Sequence, residues 1–219
     1  MYNITIFFTT HSEIGKCKSV ELYKIIESIN PDVIFEEMSP DLFDWFYKEN
    51  QLSDEPLEVK SIKKYLQNHN IKHIPVDITV SQDLSNRDID YMFDTFKQYD
   101  VYKNIEDEQN RMIERDGFAF LNSKKCTELF EKKKNTEKSL MEFMINKNFL
   151  FRIHKLFHEE HDNRENEIIR NIYNYSKENQ YNQALLLIGS GHRKSIVEKI
   201  KKHKRRGNVK LNWILYSKL

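Results

Sequence analysis

The sequence predicts an α/β fold with a mostly parallel central sheet of about five strands, flanking helices, and a large helical insertion between strands three and four. Three observations carry this. Short β-branched and aromatic runs alternate with helically periodic ones up to Val76. Residues 84–180 are charged, apolar at helical intervals, free of proline and hold one glycine, Gly117. The fully apolar run Ala184 to Ile188 then opens a second strand–helix–strand set.

Residues 3–8 (NITIFF) read as a first strand. Val20, Leu22, Tyr23, Ile25, Ile26 and Ile29 follow at helical spacing. Asn30-Pro31 stops that helix, because the residue before proline avoids the α region. Val33 to Phe35 reads as the second strand, Ile62 to Leu66 as a helix, Asn68 to Asn70 as its turn and Ile71 to Val76 as the third strand. Strands joined by right-handed crossovers make a parallel sheet. Residues 84–180 read as helices, with Phe143, Met144, Phe149, Leu150, Ile153 and Phe157 at helical intervals. The aromatics Phe93, Phe96, Phe118, Phe120, Phe143 and Phe151 read as core. After Ala184 to Ile188 come GSGH, a helix from Ser195 to Lys202 and a last strand from Val209 to Tyr216. Gln51 to Pro56 and Lys132 to Lys134 are the soft spots. The expected organisation is one domain, 1–219, with 84–180 as an insertion within it.

Lysine and arginine number 35 against 34 acids, a net charge of +1, so no global field draws the chain to nucleic acid or an anionic membrane. The basic run Lys199 to Arg206 reads as a helix end before Gly207, and no nucleic-acid partner is expected. Cys17 and Cys126 stand apart with no CxxC spacing, which suits a reducing compartment and offers no nucleophile motif. The apolar run Ile4 to Phe8 is too short for a signal peptide or a membrane span. A cytoplasmic protein with a small-molecule or peptide substrate is expected, with a homo-oligomer left open.

Ligands of open parallel sheets bind beyond the carboxyl ends of the strands. His11 and Glu13 follow strand one, Glu36-Glu37 end strand two, Asp77 ends strand three, and Gly189-Ser190-Gly191-His192 follows strand four. Alone, each has a plain reading as a cap or turn residue; together they share one address. Strand alternation sends Glu36 and Glu37 to opposite faces. Glu36 is favoured for the site, because Glu37 leads into a helix start with Ser39 as cap and Pro40 at the first position. The two glycines permit a tight turn and close backbone approach, and the helix beyond offers free N–H groups to an anion. The motif is neither GxGxxG, since residue 194 is Lys, nor GxSxG.

Thr10-His11-Ser12-Glu13, Phe35-Glu36-Glu37, Arg164-Glu165 and Gly189-Ser190-Gly191-His192 resemble the superfamily of erythromycin-esterase-like, ChaN-like and TraB/Tiki-like proteins. The resemblance spans nearly the whole chain in order. It implies a parallel-type sheet with a helical insertion and a site of an N-terminal histidine, glutamates and a late GxxH. His11 matches the first histidine, Glu36 the strand-two glutamate, Arg164 the arginine before the penultimate helix, and Gly189 with His192 the final GxxH. Thr10-His11 with Glu13 is similar to the esterase branch's T-H-x-x-x-E with shorter spacing. Phe8 stands where the TraB/Tiki branch has glycine.

His154, His158, His161 and Glu165 lie at i, i+4, i+7 and i+11, within about 60° on one helical face. Imidazoles one turn apart can share a metal or bind haem, or form a half-buried rim beside Ile153 and Phe157. Asp162 with Glu165 resembles a capping box, which would restart the helix near Asn163.

The expected function is hydrolysis of an ester or amide by a His/Glu site, with His11 as base, Glu36 orienting water, His192 polarising or protonating the leaving group and Arg164 holding negative charge. A divalent metal on His11, Glu36 and His192 is an equally open use of the same atoms. Glu13, Glu37, Asp77, Gly189, Ser190, Gly191, His158, His161 and Glu165 are the expected binding residues. The ChaN-like alternative is a haem- or metal-binding protein without catalysis; a third reading is a regulatory or defence component with a vestigial site.

Overall fold

The computed structural model describes residues 2–49, 55–79, 84–203 and 209–217. In chain order these form β1 (Tyr2–Thr9), α1 (Ser19–Ile29), β2 (Val33–Glu36), α2 (Pro40–Asp44) running into a π turn (Trp45–Glu49), α3 (Leu57–Leu66) and β3 (Lys72–Pro75). Then follow α4 (Asn86–Lys97), α5 (Asp100–Asp116), α6 (Phe118–Leu121), α7 (Lys124–Phe143) and α8 (Lys147–Glu178). The chain closes with β4 (Gln183–Gly189), a 3-10 turn (Ser190–His192), α9 (Arg193–His203) and β5 (Leu211–Leu215).

The five strands form one parallel sheet in the order β3-β2-β4-β1-β5. Alternation divides its side chains between two cores. Phe7, Ile34, Leu185 and Leu187 pack with Leu22 and Ile26 of α1 and Ile62 and Tyr65 of α3. Ile4, Ile6, Phe35, Leu186 and Ile188 pack with Ile168, Ile169 and Ile172 of α8 and Ile196 of α9. A third cluster lies within the insertion, with Met92 and Phe96 of α4 against Leu150 and Ile153 of α8.

The strand order creates the crevice. From β1 the chain crosses through α1 towards β2, and from the adjacent β4 it crosses through α9, on the other face, towards β5. Two neighbouring strands whose connections leave in opposite directions part their following loops. His11 ends up on one side of that opening and His192 on the other.

Local signals explain the entries and exits. Asn30 caps α1 in the left-handed region at φ 47°, its N–H donating to the Ile26 carbonyl, and Pro31 follows. Ser39 caps α2 by accepting from the Leu42 N–H, with Pro40 at the first position. The loop carrying His11 is held by Gly15, at φ 49°, where an added Cβ would lie 2.2 Å from the Glu114 Cα of α5.

Several expectations are corrected. α8 runs unbroken through Asp162 to Glu165, so no helix restarts near Asn163 and Arg164 sits inside a helix rather than before one. Asp162 instead binds the Lys199 ammonium, with Lys199 Nζ also donating to its carbonyl at 2.8 Å. Phe143, read as core, is 90% exposed at the end of α7, where residues 144–146 turn into α8. Lys132 to Lys134 lie inside α7, and α3 begins at Leu57, ahead of the expected Ile62. Residues 51–54 of the first soft spot and 204–206 of the basic run lie outside the described residues. Among the described residues no helix is long and apolar enough to cross a membrane.

Candidate functional site

The crevice between β1 and β4 holds a polar cluster contributed by the carboxyl ends of β1 to β4 and by α3, α8 and α9. Its centre is Glu37, which continues the ladder beyond β2 by donating its N–H to the Leu187 carbonyl at 3.1 Å. Alternation places Glu37 on the face of Phe35, the α8 side. There Oε1 lies 3.1 Å from His192 Nε2 and accepts from Arg164 at 2.8 Å, while Oε2 accepts from the Gly189 N–H at 2.6 Å. Burial alone would push this carboxyl up, but His192, Arg164 and the Gly189 amide outweigh it and hold it at about 2.

His192 is buried between two carboxylates. Its Nε2 faces Glu37 and its Nδ1 bonds Glu165 Oε1 at 2.8 Å. Burial pulls the imidazole down, yet bonding to Glu165 and Glu37 prevails and raises it to about 9, so the ring is an imidazolium at neutral pH. Glu165 Oε2 takes the Ser195 hydroxyl and lies 3.3 Å from Lys199 Nζ. The His161 ring stacks on His192 with centroids 5.0 Å apart. His161 donates from Nδ1 to the Phe157 carbonyl at 2.8 Å, and burial and the charge of His192 lower its basicity.

His11 stands opposite, its side chain 67% exposed. Nδ1 is 3.3 Å from Oε1 of the buried Glu58 in α3, and that carboxylate raises the basicity of the ring. Glu58 Oε1 also accepts from the Thr9 hydroxyl at 2.6 Å, whereas Oε2 is buried with no hydrogen-bond partner among the described residues. A Cβ built on Gly189 would lie 3.3 Å from Glu37 Oε2, 3.7 Å from His11 Nε2 and 3.8 Å from His192 Cδ2. Both imidazoles and one carboxylate therefore close around a single point.

That point divides two cavities. One, of about 750 Å³, reaches from His11 and His192 past His158 and His161 to Glu137. The other, of about 510 Å³, lies between His11, Glu58, Glu37 and Asp77. The larger is the size of a small-molecule site.

The remaining expected residues separate clearly. Glu36 shares the α3 side with Ile34, where His73 Nε2 lies 2.8 Å and the Tyr47 hydroxyl 3.1 Å from Oε2. It borders the smaller cavity, but the carboxylate that meets His192 is its neighbour Glu37, so the alternation argument is sound and its choice of face is reversed. Because β2 continues its ladder one residue further, helix-start signals at Ser39-Pro40 did not remove Glu37 from the sheet. Arg164 bridges Asp77, with Nε 2.9 Å from Oδ2, and Glu37, so its charge is already matched by two carboxylates. Glu13 touches neither cavity; it accepts from the Ser19 N–H at 2.8 Å and secures the start of α1. Gly189 has an ordinary φ of −58°, so what it avoids is crowding rather than strain. At Gly191 an added Cβ would meet, among the described residues, only Phe130, at 3.8 Å. Ser190 is buried at the cavity wall. The expected metal set of His11, Glu36 and His192 is not assembled, because Glu36 is turned to His73 and both His192 nitrogens face carboxylates.

Glu58 and Lys199 were missed from the sequence. Leu57, Ser61, Ile62 and Tyr65 lie at helical spacing and could have revealed an earlier start of α3, but not that Glu58 reaches His11. Burial pushes the thiols of Cys17 and Cys126 up to about 12, which keeps both protonated. Compared with known proteins, the chain matches no family model, no curated protein and no solved structure.

Proposed function

We propose that this chain is a hydrolase of small-molecule or peptide esters or amides, of the erythromycin-esterase and TraB/Tiki-like kind, in which His11 activates water. The observation that carries the reading is the pairing of His11 with Glu58 at the mouth of the 750 Å³ cavity. A carboxylate on Nδ1 sets the tautomer and leaves Nε2 as the proton acceptor. Across the crevice, the His192 imidazolium supplies positive charge where a tetrahedral oxyanion develops. Because both its ring nitrogens face carboxylates, His192 acts through its field rather than by giving up a proton. Arg164 positions Glu37 and, through it, His192. Attack by water directly, without an acyl-enzyme, agrees with the protonated state of both thiols. The rival reading, haem or metal binding without catalysis, draws on the histidines of α8.

The test is a panel of generic esters and amides on wild type and His11→Ala. A detected activity falls by about 10²–10⁴ in the variant. Its rate climbs with pH as His11 loses its proton above 6.5 and drops as His192 loses its own near 9. Full activity in His11→Ala, or a wild type inert across the panel, rejects the proposal.

A further inference from the structure

Away from the strand ends, α8 carries a second arrangement of imidazoles. His154 is buried on the inner side of the helix, its Nε2 3.2 Å from Glu137 Oε2 on α7. His158, one turn on, turns its Nε2 to within 3.1 Å of the same His154 nitrogen. The Tyr102 hydroxyl of α5 donates to the other Glu137 oxygen at 3.3 Å and orients the carboxylate. Among the described residues, Glu137, His154 and His158 are one set of three whose ligand atoms all fall within 4.8 Å of one another.

A plain hydrogen-bond chain explains this poorly. His154 Nε2 carries at most one proton, yet it faces both Glu137 Oε2 and His158 Nε2, so it cannot donate to the one while accepting from the other. The spacing has another reading. In a tetrahedral site with bonds of about 2.0–2.1 Å to nitrogen and oxygen, adjacent ligand atoms stand about 3.3 Å apart. The observed 3.1 and 3.2 Å separations match two such edges. His161 is not a fourth ligand, because it is committed to the Phe157 carbonyl and stacked on His192.

We propose that Glu137, His154 and His158 bind a divalent cation of the zinc type, with its fourth position open to the cavity that also holds His11 and His192. Two imidazoles select against magnesium and calcium, which prefer oxygen. Three protein ligands with one position open is the pattern of a reactive rather than a purely structural site. Glu137 and His158 both line the 750 Å³ cavity, so a fourth ligand enters from there. Lys134 and Lys138 stand at the same wall, and with one carboxylate against two cationic charges the open position favours an anion, either hydroxide or a substrate carboxylate. The Tyr102 bond to Glu137 supplies the outer support that such a ligand needs. The ion-sized gap between the two nitrogens suits a single cation rather than a haem macrocycle.

The test uses the full chain stripped with a chelator and then titrated with Zn²⁺ against a chromophoric competitor, and with Co²⁺ read by visible absorption. One cation binds per chain, and Co²⁺ develops the intense band of four-coordinate geometry. His158→Gln and Glu137→Gln each weaken Zn²⁺ by about 100-fold. His69→Gln, at a histidine paired with Glu27 elsewhere on the surface, leaves binding unchanged. The wild-type cobalt spectrum needs no variant to fold: a pale six-coordinate spectrum, or less than one Zn²⁺ per chain, overturns the site. So does unchanged affinity in His158→Gln. Binding is read without hydrolysis, so the site stands or falls independently of the proposed activity.

Discussion

At the strand ends, His192 lies between two carboxylates; on the helical insertion, His154 meets one, and His158 faces His154 instead of an acid. The same side chain, buried at His192 and half-buried at His158, is raised to about 9 in the first and lowered to about 3 in the second, where burial and the neighbouring His154 act together. Burial by itself disfavours the imidazolium in both. The number of acids within reach decides the charge. His192 is therefore held as an imidazolium, and His158 as a neutral ring with a free nitrogen lone pair.

The largest effect is expected at Glu37. Glu37→Gln leaves His192 with one carboxylate and removes one of the two from Arg164, and stability in urea unfolding falls by about 3–5 kcal/mol. A loss below about 1 kcal/mol would mean that the strand-end charges do not depend on one another.

A pH series of unfolding separates the two histidine regions with a smaller effect. The folded His192 binds its proton more tightly than the unfolded chain does, so its contribution is complete below pH 6.5 and is lost as pH rises through about 9. That contribution is about 3 kcal/mol at most. His158 has the opposite sign: the unfolded ring takes up a proton below 6.5 while the folded ring resists it to about 3, so stability also falls on the acid side. Glu37 adds a further loss as pH falls from 4.5 through about 2. Stability should peak near pH 6.5, and His158→Gln should flatten the acid flank alone. Equal flanks in that variant and the wild type would remove the assigned contrast.

The smallest effect is expected at Tyr102. Tyr102→Phe deletes one long hydrogen bond to Glu137 and costs about 1 kcal/mol by the same unfolding measurement. A cost as large as that of Glu37→Gln would place a tightly coupled charge network in the insertion too.

Much of the fold was legible because it is written in local period. The two-residue alternation of β1, the apolar run of β4 and the helical spacing of α1 each report burial by the chain itself, and they yield the element order and the parallel sheet. The row His154, His158, His161 and Glu165 was legible for the same reason, since one continuous α8 keeps it on a face. Its division was not: His154 meets Glu137 and His158 meets His154, while His161 and Glu165 meet His192.

The sequence alone determined that His11, Asp77 and His192 emerge at strand ends, and that Glu36 and Glu37 face opposite sides of the sheet. Only the tertiary structure decided which glutamate meets His192, that Glu58 stands behind His11, and that Lys199 leaves the basic helix end to approach Glu165. Local periodicity records whether a residue is buried. Which charge it is buried against depends on how α3, α8 and α9 are laid across the sheet, and no short stretch of chain contains that information.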